Sequence, residues 1–83
     1  MKITVRYFAS IREAIGQGSE AVETSATTLG ALRDELIARG GAHASSLARG
    51  KAVRMALNQT LNDESATLAD GAEVAFFPPV TGG

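Results

Sequence analysis

The chain has 83 residues, 45% of them hydrophobic, with eight Lys and Arg against nine Asp and Glu for a net charge of −1. That length holds one domain able to bury roughly two-thirds of its unfolded surface, and that composition excludes intrinsic disorder. The near-neutral charge excludes the basic footprint of a nucleic-acid binder, and the absence of cysteine excludes a disulfide, a thiolate nucleophile, a thiolate metal site and a persulfide carrier within the chain.

Ile3, Val5 and Tyr7 alternate with Lys2, Thr4, Arg6 and Phe8, the period-two signature of a strand with one buried face. Phe8 then shares the opposite face with Arg6. Ser10 and Glu13 fit a capping box that starts a short helix, with Ile11 and Ile15 inward and Gly16 as its left-handed stop. Residues 19–24 read as an edge strand anchored by Val22. Thr27 or Thr28 caps the main helix, whose stripe is Leu29, Leu32 and Leu36 beside Ile37. Arg39 suits its C-terminal dipole, Gly40-Gly41 ends it, and Gly30 allows a close approach to the sheet. His43, with no cysteine and no second histidine, reads as a solvated loop residue without a role.

One helical turn is expected over residues 44–49 with Leu47 inward. A third strand follows, in which Val53, Met55 and Leu57 alternate with Ala52, Arg54 and Ala56. Arg49, Lys51 and Arg54 form the one local basic cluster, read as a solvated face, with a salt link to an acidic partner as the alternative. Asn58-Gln59-Thr60 reads as a turn, and residues 62–65, between Leu61 and Leu68, as an irregular surface crossover. Asp70-Gly71 launches the last strand, residues 73–77, with Val74 and Phe76 inward and Ala75 and Phe77 on the other face. If first and last strands pair, Phe8, Ala75 and Phe77 form an exposed partner interface. The order of elements predicts an α+β domain over residues 1–77, a mixed sheet covered on one face by the main helix.

Beyond Phe77 the ladder stops, because Pro78 and Pro79 fix φ and remove two amide donors. Residues 78–83 are expected to be a flexible, extended tail that carries the carboxylate of Gly83 about 20 Å from the sheet at roughly 3.3 Å per residue. Two glycines suit a frayed terminus and a narrow channel equally. The prolines favour the channel, since a tail stiffened in advance loses less entropy on docking. Thr81 and Val80 complete the access segment with Gly82, Pro79 and Pro78. No apolar stretch approaches membrane-spanning length, and the alternating first residues are unlike a leader, so the expectation is a cytoplasmic chain that contacts neither membrane nor nucleic acid.

Residues 68–83, above all Phe76-Phe77-Pro78-Pro79-Val80-Thr81-Gly82-Gly83, resemble the ending of the small, sulfur-carrying subunits of molybdopterin synthase. Asn58-Gln59-Thr60 and Tyr7-Phe8-Ala9 followed by Arg12-Glu13 share the likeness, while Ala72 departs from it where the family usually has an acidic residue. The resemblance implies the ubiquitin-like β-grasp fold. It also implies that an E1-like adenylyltransferase uses ATP to adenylate the carboxylate of Gly83, and that a separate sulfur donor, a sulfurtransferase or cysteine desulfurase, converts it to a thiocarboxylate. The large catalytic subunit then receives the tail, and the sulfur passes to cyclic pyranopterin monophosphate to build the dithiolene of molybdopterin within a heterotetramer. The chain itself is then a carrier that binds no cofactor or metal and is not catalytic alone. A thiamine-type sulfur carrier, a protein modifier that ends in a lysine amide, and a pure interaction module remain alternatives.

Overall fold

The computed structural model describes residues 1–79. Its elements are β1 (Lys2–Tyr7), α1 (Ala9–Ile15), β2 (Ser19–Glu23), α2 (Leu29–Ile37), α3 (Gly41–Leu47), β3 (Arg54–Leu57), β4 (Thr60–Asn62) and β5 (Glu73–Phe77). They form one five-stranded sheet in the order β2-β1-β5-β3-β4. β1 and β5 run parallel at its centre, and the other pairs are antiparallel. This is the β-grasp arrangement that the resemblance implied.

Alternation does what the sequence predicts along β1 and β5, sending Ile3, Val5, Tyr7, Val74 and Phe76 into the core. There they meet Leu29, Leu32 and Leu36 of α2, together with Leu47 and Leu68. α2 is capped by Thr28, whose hydroxyl accepts from the Ala31 amide at 3.2 Å. The remaining first-turn amides are satisfied from the crossover between β4 and β5, Leu29 donating to the Ala66 carbonyl and Gly30 to that of Glu64. Here the expectation for Gly30 is corrected. The close approach is to Glu64, whose Cβ would lie 3.0 Å from a Cβ added at Gly30, and not to the sheet.

Other differences have local causes. α1 begins at Ala9 with Phe8 as its N-cap and no side-chain cap, so Ser10 and Glu13 form no capping box. The Phe8 amide instead donates to the Phe76 carbonyl at 3.1 Å, which prolongs the β1·β5 ladder to the helix start. Gly16 does close α1 at φ 90°, with its amide donating to the Arg12 carbonyl. α3 starts at Gly41 and takes in His43, a longer helix than the single turn expected over residues 44–49. β3 begins at Arg54 and leaves Ala52 and Val53 outside the strand. Asn58 and Gln59, both at positive φ, make a two-residue hairpin turn into β4, so Thr60, Leu61 and Asn62 form an edge strand rather than turn and crossover.

Two polar clusters lock the helices in place. Arg33 of α2 is only 4% exposed. Its Nε donates to the Leu47 carbonyl and its Nη2 to that of Ala48, each at 2.8 Å, which closes the C-terminal end of α3. Its Nη1 lies 3.3 Å from Glu64, whose other oxygen pairs with Arg49, and Arg49 also holds Asp34 at 2.8 Å. Arg49 is therefore a structural clamp as well as a member of a solvated basic face, its side chain being 44% exposed.

The second cluster centres on Glu20 of β2, which accepts from Tyr7 at 2.7 Å and from Arg39 at 2.8 Å and lies 3.0 Å from His43 Nε2. Partial burial pushes the Glu20 carboxyl up, but the hydrogen bonds from Arg39, Tyr7 and His43 outweigh it and bring the pKa down to about 2. The Tyr7 phenol moves up, chiefly through burial and then through its bond to Glu20. His43, edge-on to the Tyr7 ring at 5.8 Å, is thus a packed helix residue and not a solvated loop residue.

Candidate functional site

All three helices lie on one side of the sheet, and the other side is open. Because β1 and β5 pair in register from Thr4↔Glu73 to Tyr7↔Phe76, the residues that alternate outward fall side by side. Arg6 stands opposite Ala75, Ala75 opposite Ala56, and Ala56 opposite Leu61, so one row crosses four strands. The next row brings Phe8 beside Phe77, which faces Arg54 on β3. The pairing anticipated for Phe8, Ala75 and Phe77 is present, and the three line one shallow groove of about 750 Å³.

The groove is largely apolar, walled by Ala56, Leu61, Pro78 and Pro79 as well. Phe8 is 38% and Leu61 61% exposed, so the face displays large apolar side chains that the core does not use. Its charged rim is built from Arg6 and Glu73. The Arg6 guanidinium lies 5.2 Å from the centre of the Phe8 ring, and its Nη1 is 3.4 Å from Glu73.

Sequence reasoning placed Arg6 on this face with Phe8 but missed Leu61 and Ala56 as parts of the surface. The signal for Leu61 was weak. Its strand has only three residues, too few to show alternation, although the Asn58 turn before it was legible. Ala56 follows once the register is known.

Phe77 ends β5, and Pro78 and Pro79 continue half-buried along the groove. The tail thus begins on the open face itself. Val80, Thr81, Gly82 and Gly83 lie outside the described residues. Among the described residues no group of histidine, cysteine, aspartate and glutamate has the makings of a metal site. No helix among them is long and apolar enough to cross a membrane. What the arrangement shows is an exposed apolar groove with a charged rim, from which the tail departs.

Comparison with known proteins gives this arrangement a family. The model of the ThiS family matches residues 5–83. The molybdopterin synthase sulfur carrier subunit of Escherichia coli (strain K12) is 44% identical over 81 residues, which cover 98% of this chain and 99% of that relative. Among solved structures, SAMP1 from Haloferax volcanii matches with a TM-score of 0.77 at 25% identity over the whole of both chains. A chain from the complex of subunits 1 and 2 of molybdopterin-converting factor from Helicobacter pylori 26695 matches with a TM-score of 0.69 at 27% identity, again over both whole chains. The chain belongs to the ThiS family and, within it, with the molybdopterin synthase sulfur carrier subunits.

Proposed function

We infer that this chain carries sulfur on its C-terminal carboxylate and delivers it, docked on a large catalytic subunit, to cyclic pyranopterin monophosphate. The observation that supports this most is the end-to-end identity with the Escherichia coli sulfur carrier subunit. The physical need for activation is plain, since an α-carboxylate of pKa about 3.3–3.7 is ionised at neutral pH and resists nucleophiles. An E1-like partner with ATP overcomes this resistance. A carboxylate oxygen of Gly83 attacks the α-phosphorus of ATP and pyrophosphate leaves; the outer sulfur of the donor's persulfide then attacks the acyl carbon and expels AMP, and a thiol reductant cleaves the resulting acyl disulfide to leave a thiocarboxylate.

The chain's own contribution is placement. Phe8, Phe77 and Leu61 give the partner an apolar face to seal. Pro78 and Pro79 stiffen the backbone where it leaves β5 along that face, and the sequence of Val80, Thr81, Gly82 and Gly83 suits a narrow lead to the reacting atom. Partnership with a large subunit is further supported by the solved complex to which the fold is similar.

The test is to incubate the full chain with the activating enzyme, ATP and a sulfur source, and to weigh it intact. A mass gain of one oxygen-to-sulfur exchange, localised to Gly83, is expected. A chain that is never thiolated, or that becomes joined to lysines of other proteins instead, would refute the assignment.

A further inference from the structure

The groove's chemistry goes further than an apolar patch. Arg6 stands on one side of the stripe formed by Phe8, Phe77 and Ala75, and Arg54, paired in register with Phe77, stands on the other. Arg54 also lines the adjoining cleft with Leu61. Among the described residues Arg6 has one ion pair, the 3.4 Å contact with Glu73, and Arg54 has none. A guanidinium has five N–H donors and stays charged in proteins. A single contact at 3.4 Å leaves most of Arg6's donors to solvent, and those of Arg54 find no partner among the described residues.

This matters once a partner covers the stripe. Two positive charges and one carboxylate then lose water together, and burying an unmatched guanidinium is strongly unfavourable. A purely apolar partner face would meet that penalty at both edges. Oxygen acceptors with negative charge remove it and also steer the encounter. We propose that Arg6 and Arg54 make this face selective for a protein surface in which carboxylates flank an apolar plug.

The inference rests on the docking role given above, and the partner is the large catalytic subunit. Binding of the full-length chain to the purified large subunit is measured at low and at high salt. The variants are Arg6→Met with Arg54→Met, which keeps the bulk, and Arg6→Glu with Arg54→Glu, which reverses the charge. Circular dichroism confirms that each is folded. Association is expected to slow by about tenfold in the methionine pair and about a hundredfold in the glutamate pair at low salt, with the salt dependence of the wild type flattened in both. Wild-type binding that ignores salt, or methionine and glutamate pairs that bind as the wild type does, overturns the inference while leaving the docking role intact. A wild-type chain that does not bind the large subunit at all overturns the docking role, and the inference with it.

Discussion

Replacing Arg33 with methionine tests how α2 and α3 are held together. Methionine keeps much of the stem's volume, so the loss is chiefly that of the guanidinium. The carbonyls of Leu47 and Ala48 lose donors at 2.8 Å, Lys51 loses a longer one at 3.3 Å, and Glu64 loses one of its two arginines. An unsatisfied buried acceptor costs about 1–3 kcal/mol. Leu47 is fully buried, whereas water reaches Lys51 and Glu64, so the sum is about 3 kcal/mol. At roughly 0.05–0.15 kcal/mol per residue the whole domain has about 4–12 kcal/mol, so the change removes a large share. For a domain of this size Tm should fall by about 12–24 °C.

Urea and thermal unfolding of the variant provide the assay. Arg33→Lys should lie between the two, since an ammonium has no planar fork to reach both carbonyls. Glu64→Gln should cost under about 1 kcal/mol, because Glu64 is well exposed. An Arg33→Met protein that melts within about 3 °C of the wild type, with an unchanged urea slope, would refute the assignment of Arg33 as the tie between α2 and α3.

Three further outcomes are expected. Phe77→Asp should leave the fold intact and weaken large-subunit binding by about 2 kcal/mol or more, and undiminished co-purification would show that the groove is not the docking face. Deleting Gly83 should leave Tm nearly unchanged and abolish thiolation, because the carboxylate retreats by about 3.5 Å where reacting atoms must meet at roughly 3 Å; a truncated chain thiolated at the wild-type rate counts against the tail mechanism. Glu20, with a folded pKa of about 2 against an ordinary 4.5, contributes stability that is present above pH 4.5 and is lost as pH falls toward 2. That contribution is at most about 3 kcal/mol, and acid titrations of Glu20→Gln and wild type should converge at the low end if the reasoning holds.

What could be read from the sequence was whatever is periodic or locally determined. Ile3, Val5 and Tyr7, the leucine stripe of α2, the Gly16 stop and the Asp70-Gly71 turn all follow from spacing and from the few residues that tolerate positive φ. What escaped depended on residues far apart in the chain. Nothing near Arg33 announces Leu47, 14 residues on, or Glu64, 31 residues on. Glu20 likewise draws on Tyr7 of β1, Arg39 of the turn after α2 and His43 of α3, so His43 looked isolated in sequence while being packed in space. Ser10 lost its capping role because the helix starts earlier, at Ala9, with the Ile11 and Arg12 amides donating to the Phe8 carbonyl, so Ser10 lies inside the first turn. Of the site, the aromatic pair was legible through alternation, whereas the row through Ala56 and Leu61 needed the register of a three-residue strand.

On the function proposed above, the position of β5 places docking and delivery on one element. It is the strand with neighbours on both sides nearest the sheet's centre, parallel to β1 and antiparallel to β3, so it is held more firmly than either edge. Alternation along its five residues buries Val74 and Phe76 and turns Ala75 and Phe77 outward. Phe77 is at once the last strand residue and a wall of the groove, and Pro78 follows it directly. A partner that grips Phe77 therefore fixes the origin of the tail to within one residue. From there six residues span at most about 20 Å, and each residue of slippage moves the end by roughly 3.3 Å. Were the tail rooted on the short edge strand β4, fraying there would move its end by as much as the reaction tolerates. A terminus with no side-chain chemistry of its own can be aimed only by its root, and the centre of the sheet is where this fold places that root.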